Sequence, residues 1–180
     1  VTFRQHPQEV LYHTKLPFLT DLEERIRLLK EAGVELIILL SFTPELSRLT
    51  PRQFVRLLKE YLRMRGLVIG PDFALGRNRE GTAETLQALG KEMGFTLVIV
   101  PPMVINGDAV SSTIIREALV KGDMKKVAKM VGRPFSLQGS VVTGAGRGVK
   151  LGFPTANLRI SPEQAIPADG VYASLAYING

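Results

Sequence analysis

Leu67-Val68-Ile69-Gly70-Pro71-Asp72-Phe73-Ala74-Leu75-Gly76 is a short apolar run that halts at Gly-Pro and passes into a loop continued by Arg77, Asn78, Arg79, Glu80 and Gly81. Upstream, Thr50-Pro51 opens a helix to about Met64, with Phe54, Leu57, Leu58, Tyr61 and Leu62 on one face and Gly66 ending it. Downstream, a helix is predicted from about Thr82 to Met93, then a strand over Phe95 to Val100 closed by Pro101-Pro102. Helix and strand alternating at this spacing argue for an α/β fold with a parallel sheet and crossover helices. The loop after Ile69 then lies at the carboxyl end of a parallel strand, where open α/β sheets bind ligands.

The same alternation extends in both directions. Thr20 can cap a helix from Asp21 to about Ala32, with Asp21, Glu23 and Glu24 at its positive end, Lys30 near its negative end and Gly33 stopping it. Val34 to Leu40 reads as a strand whose nearly unbroken apolar character suits burial on both faces. Ser111 or Ser112 starts a helix to about Val120, Gly122-Asp123 breaks it, and Asp123 caps a short helix to about Val131. After Gly132-Arg133-Pro134 the pattern becomes β segments, Leu137 to Thr143 and Val171 to Ile178, separated by Gly- and Pro-rich loops with no good helix. This switch marks a domain boundary, with one domain over 1–132 and the next over 134–180. Val1-Thr2-Phe3 reads as the end of a strand running into His6-Pro7, and the last segment stops without a closing partner. The expectation is a fragment cut at both ends.

Composition bounds the function. Of 180 residues, 45% are hydrophobic and 22% charged, which rules out intrinsic disorder. Lys plus Arg number 23 against 17 Asp plus Glu, a formal charge of +6, so anionic partners such as phosphates are favoured. The absence of Cys excludes disulfides, a Cys-ligated zinc and a thiol nucleophile. With only His6 and His13, a multi-histidine metal cluster is excluded as well. No apolar run approaches the roughly 20 residues that span a bilayer, so no membrane partner is expected.

Three segments could carry chemistry. In Gly70 to Gly81, glycines permit close backbone approach, Arg77 and Arg79 bring positive charge, and Asp72 can accept hydrogen bonds from a polar ligand edge; an ordinary strand-to-helix loop is the other reading. Ser111-Ser112-Thr113 gathers hydroxyls at a helix N-terminus, where free N–H groups and the dipole favour an anion, and Arg116 one turn on can add a bidentate phosphate contact. A plain N-cap is the alternative there. Gly144 to Asn157, with Gly146, Gly148, Lys150 and Gly152, could fold over a polyphosphate while Thr155 and Asn157 offer neutral oxygens to a hard cation such as Mg²⁺; a flexible hairpin connection is the alternative. Arg52, Arg56, Lys59 and Arg63 line one face of a helix, either a nucleic-acid stripe or the solvated side of an amphipathic helix.

Taken as a set, Thr2-Phe3 with His6-Pro7, Gly70-Pro71-Asp72-Phe73 with Gly76, Ser111-Ser112-Thr113 with Arg116, Leu151-Gly152-Phe153-Pro154-Thr155-Ala156-Asn157-Leu158 and Gly170-Val171-Tyr172-Ala173 resemble the bifunctional bacterial riboflavin kinase and FMN adenylyltransferase family, prokaryotic FAD synthetase. The resemblance covers essentially the whole chain. It implies a Rossmann-like nucleotidyltransferase domain over 1–132, its N-terminus missing, followed by the opening of an antiparallel β-barrel riboflavin kinase domain over 134–180, its C-terminus missing. It implies ATP, riboflavin and FMN as substrates, FAD as product, Mg²⁺ as cofactor, a cytoplasmic location and no nucleic-acid partner. It assigns Ser111, Ser112, Thr113, Arg116, Gly144, Lys150 and Gly152 to ATP phosphates. His6, Pro7, Gly70, Asp72 and Phe73 go to the flavin, and Thr155 and Asn157 to the metal.

The chain departs from the family pattern in places. Two closely spaced histidines and a glutamate base, expected for the two reactions, fall outside the 180 residues, so the piece alone is expected to be inactive. Gln5 stands where a proline is usual, Leu75 where an aromatic packs on the flavin, and Val149 where an arginine is usual. The alternatives from other classes are a basic nucleic-acid-binding α/β protein using the Arg52 to Arg63 face, and a single-activity nucleotidyltransferase. The latter leaves Leu151 to Asn157 unexplained.

Overall fold

The computed structural model describes residues 1–12 and 16–178, so His13 lies outside the described residues. The chain divides into two compact units, one of Val1–Leu16 and Ile26–Ala109, the other of Pro17–Arg25 and Val110–Gly180. In chain order the elements of the first are β1 (Thr2–Phe3), α1 (Pro7–Tyr12), α2 (Leu22–Glu31, crossed by the division), β2 (Leu39–Leu40), α3 (Pro44–Ser47), α4 (Pro51–Leu62), β3 (Gly66–Ile69), α5 (Ala83–Met93), β4 (Thr96–Ile99), β5 (Val104–Ile105) and β6 (Asp108–Ala109).

This unit is mixed α/β with parallel pairing, as the alternation predicts. β1 pairs with β2 through Thr2↔Leu39 and Phe3↔Leu40, and β3 with β4 from Gly66↔Thr96 to Ile69↔Ile99. The helix α5 makes the crossover between β3 and β4. Its start is capped by Thr82, whose hydroxyl accepts from the Thr85 N–H, and Gly94 ends it at a φ of 68°. For α4, Thr50 and Gln53 form a reciprocal capping box and Pro51 occupies the first turn, where a missing N–H is no loss. The core consists of Val55, Ile69, Leu75, Leu86, Leu89 and Phe95.

Two expectations change here. The cap of α2 is Asp21 rather than Thr20: its carboxylate accepts from the Glu24 N–H at 2.8 Å. The strand expected over Val34 to Leu40 contracts to Leu39–Leu40, and Leu36 is 72% exposed. The reason is that β1 supplies only two residues of ladder, and an apolar run without a neighbour to pair with is not a strand.

The second unit contains α6 (Ser112–Val120), α7 (Met124–Val131), β7 (Gly139–Val142), α8 (Arg147–Lys150) and β8 (Asn157–Ile160). Ile115, Ala118 and Leu119 of α6 pack against Val127 and Met130 of α7, with Ala165 completing the cluster. Asp123 caps α7 through the Lys126 N–H at 3.0 Å. β7 and β8 are antiparallel, from Gly139↔Ile160 to Val142↔Asn157.

Beyond β8 the chain returns to the helix pair: the Ala168 N–H donates to the Leu119 carbonyl at 2.9 Å, and the Tyr172 hydroxyl donates to the Ala168 carbonyl at 2.7 Å. Gly122, at the turn between α6 and α7, adopts a left-handed φ of 69° that favours glycine, and a Cβ there would stand a tight 3.2 Å from that hydroxyl. The strand expected over Val171 to Ile178 is not formed. That segment has no ladder partner among the described residues, and Leu175, Tyr177 and Ile178 are exposed. Among the described residues no sheet closes on itself, so the expected barrel is not seen, and this part of the chain pairs as the two-stranded β7–β8 ladder. The glycine-rich connection, expected without a helix, folds into the single turn α8.

Candidate functional site

The loop after β3 is a tight turn, with the Phe73 N–H donating to the Gly70 carbonyl at 3.3 Å and Asp72 and Phe73 both exposed. Its return is closed by Leu75 and Gly81, which exchange backbone hydrogen bonds at 3.2 and 2.9 Å. Arg79 reaches back to donate to the Asp72 carbonyl at 3.1 Å, fixing the turn that presents the Asp72 carboxylate. Gly76, at a φ of 76°, lies so close to Pro51 that a Cβ would stand 2.8 Å from its nitrogen. Leu75 does not face a ligand: it is buried among Val55, Ile69 and Leu86, so its size matters to the core rather than to a stacked ring. His6 sits just beyond β1, where its Nδ1 accepts from the Gln8 N–H at 3.2 Å and Pro7 begins α1. Because β1 and β3 lie in separate ladders, no strand register joins His6-Pro7 to the Gly70 turn.

At α6 the hydroxyl run resolves into different roles. Ser111 is the N-cap, its Oγ accepting from the Ile114 N–H at 3.3 Å, whereas Ser112 and Thr113 are exposed in the first turn, where backbone N–H groups lack helical partners. Arg116, one turn on, donates from Nε to the carbonyl of Pro17 at 2.8 Å. Its two terminal nitrogens have no protein partner among the described residues, and burial alone lowers its pKa from the ordinary guanidinium value. An anchored but incompletely satisfied guanidinium beside open N–H groups is an arrangement suited to a phosphate.

The glycine loop is built around two polar side chains. A Cβ on Gly144 would collide with the Asn157 carboxamide, and one on Gly148 would collide with the Phe153 carbonyl and stand 3.0 Å from Thr155 Oγ1. The Phe153 N–H donates to the Gly148 carbonyl at 2.8 Å, closing the turn. Glycine at both positions leaves a cradle that the Thr155 hydroxyl and Asn157 carboxamide enter, and both residues remain exposed. Neutral oxygen donors in an open, backbone-lined cradle fit a hard cation such as Mg²⁺. Lys150 ends α8, and Gly152 follows at a φ of 79°, a left-handed conformation that glycine adopts without strain.

The basic face of α4 is partly committed elsewhere. Arg52 forms a two-bond ion pair with Glu92, each bond at 2.5 Å, and Lys59 donates to the carbonyls of Met93 and Gly94. Two of the four cations in the stripe therefore close the C-terminal end of α5, where cations complement the helix dipole. Pro17 and Arg79, which anchor the candidate ligand-binding residues, carry no sequence signal for that role; in each case a backbone carbonyl or a long side chain reaches its partner only in the folded chain.

Residues 131–180 match the riboflavin kinase family model, and residues 1–114 match the FAD synthetase model. The bifunctional riboflavin kinase/FMN adenylyltransferase of Listeria monocytogenes is 34% identical over 182 residues, covering 100% of this chain and 58% of that protein. The corresponding Escherichia coli K12 protein is 36% identical over 173 residues, covering 95% of this chain and 55% of that protein. That of Bacillus subtilis is 33% identical, covering 100% and 57%. A crystal structure from Streptococcus pneumoniae, described as a macrolide-efflux protein, superposes with a TM-score of 0.85 at 35% identity, over 94% of this chain and 56% of its own. No helix among the described residues is long and apolar enough to cross a membrane. The chain spans little more than half the length of the curated relatives it matches. With the family model extending over more than half of its residues, the chain belongs to the FAD synthetase family.

Proposed function

We propose that the protein containing this chain phosphorylates riboflavin to FMN with ATP and then adenylylates FMN to FAD, with 1–132 serving the adenylyl transfer and 134–180 opening the kinase barrel. It works on small molecules in the cytoplasm, without nucleic acid. The observation that carries the reading is the pairing of two distinct phosphate-type sites: Arg116, two residues past the end of the FAD synthetase match, beside the open first turn of α6, and the Gly144–Gly148 cradle around Asn157 and Thr155 within the riboflavin kinase match.

In adenylyl transfer an FMN phosphate oxygen attacks the α-phosphorus of ATP and pyrophosphate leaves. The N–H groups and hydroxyls of Ser112 and Thr113, with Arg116, are the candidates for holding the departing phosphates. The Gly70–Phe73 turn and His6-Pro7 are, separately, the candidates for flavin contact. In the kinase step a riboflavin hydroxyl attacks the γ-phosphorus and ADP leaves. Gly144, Lys150 and Gly152 border the phosphate tail, and Thr155 and Asn157 would hold Mg²⁺. When bound, that ion neutralises phosphate charge. In both steps the residues contribute positioning and charge complementarity rather than covalent chemistry.

Calorimetric titration with ATP tests this. Arg116→Ala is expected to weaken binding roughly 10- to 100-fold, the range for losing charge-assisted hydrogen bonds. Affinity equal to the unmodified chain refutes the assignment. Salt-sensitive RNA binding lost on changing Arg56 and Lys59 would favour the nucleic-acid reading instead.

A further inference from the structure

Arg116 is held by a closed circuit of contacts that runs through the segment matching the riboflavin kinase model. Its Nε donates to the Pro17 carbonyl at 2.8 Å. The next residue, Phe18, is gripped on both sides: its N–H donates to the Glu163 carbonyl at 2.6 Å, and its carbonyl accepts from the Ala165 N–H at 2.8 Å. Ala165 is buried against Ile115 and Leu119, on the same helix that carries Arg116, so the circuit returns to its origin. Between the two gripping residues lies Gln164, only 7% exposed, whose side-chain amide donates to the Ser136 carbonyl at 3.2 Å and whose backbone N–H donates to the Ser161 carbonyl at 3.0 Å.

A buried carboxamide that donates to a backbone carbonyl ties its own loop to a distant stretch of chain, and its removal forfeits a directional bond that apolar packing does not replace. We propose that Gln164 is a positioning residue for Arg116: by fixing the Ser161–Ala165 loop it sets Phe18, hence the Pro17 carbonyl, hence the plane of the guanidinium. A guanidinium pinned through Nε presents its remaining edge in one direction, which bidentate phosphate binding requires. The inference rests on the reading of Arg116 as a phosphate ligand and extends it. The adenylyl-transfer site then depends on a residue that belongs, by sequence, to the kinase segment.

The test is a double-mutant cycle on the full chain in an Asn157→Ala background, which removes the second nucleotide site from the measurement. ATP affinity is read by calorimetry and the Arg116 Nε–H resonance by NMR. Gln164→Leu is expected to shift that resonance without ligand and to weaken ATP binding roughly fivefold, with no further loss once Arg116→Ala is present. Ser161→Ala, an exposed change that loosens the same loop, is expected to act in the same direction, and it decides the matter should Gln164→Leu not fold. If Arg116→Ala weakens binding but the loop variants do not, or if their effects simply add, the positioning role is overturned while the functional reading stands. If Arg116→Ala has no effect, the functional reading falls first.

Discussion

The carboxamide of Asn157 occupies the space that a Cβ on residue 144 would need, so any side chain at 144 must displace that amide. Gly144→Ala and Gly148→Ala are therefore expected to push Asn157 and Thr155 out of the cradle. Metal–nucleotide affinity should fall about 10- to 100-fold, as for other residues that orient ligands. Titration with Mn²⁺ in the presence of ADP, followed by the ion's magnetic resonance signal, measures this. Unchanged affinity in both variants would remove the metal assignment from Thr155 and Asn157.

The hydroxyls at α6 should separate by role. Ser111→Ala removes the cap that accepts from Ile114 and is expected to lower stability by about 1 kcal/mol. Ser112→Ala should leave the urea midpoint unchanged and affect ATP binding alone. Equal midpoints for the two variants would show that the cap carries no stability.

Leu86 is fully buried in the core of the first unit. Leu86→Ala is expected to destabilise by about 2–5 kcal/mol, whereas exposed Leu175→Ala should stay within about 0.5 kcal/mol. Denaturant melts followed by circular dichroism distinguish the two.

Acid should weaken the first unit by a traceable route. The hydrogen bond from Arg52 holds Glu92 below the usual carboxylate range, the Thr82 hydroxyl does the same for Glu84, and Glu45 is lowered mainly by its own backbone N–H and then by Thr43. A depressed carboxylate contributes stability above its unfolded pKa and loses that contribution as pH falls through the folded value. Melting temperature should thus decline below the ordinary carboxylate pKa, and Glu92→Gln should make the decline shallower. All three groups are solvent-exposed, so the slope is small and salt-sensitive. A Glu92→Gln profile parallel to that of the unmodified chain would rule out its ion pair as a source of the slope.

Local signals were readable where the information is local. Thr50-Pro51, Thr82 and Asp123 marked helix starts because capping is decided within a few residues. The parallel crossover from β3 to β4 followed from element order and length. Val34 to Leu40 and Val171 to Ile178 misled because apolar β-prone sequence states a preference, while a strand needs a neighbour to supply hydrogen bonds. The same limit applies to the site. Ser111, Arg116 and the glycine loop could be picked out by residue type, but Pro17, Arg79 and Gln164 act across 99, 7 and 28 residues through backbone oxygens that any residue possesses.

Tyr172 seats its hydroxyl against the turn at Gly122 while Ala168 ties to Leu119. A protease cutting near Gly132 would consequently produce two pieces that stay noncovalently attached, and an evolutionary swap of the downstream module at that junction would strip α6 and α7 of their cover. A cut placed ahead of Val110 would likewise break only the covalent chain, because Pro17–Arg25 belongs to the same unit as Val110–Gly180 and holds Arg116 through the Pro17 carbonyl.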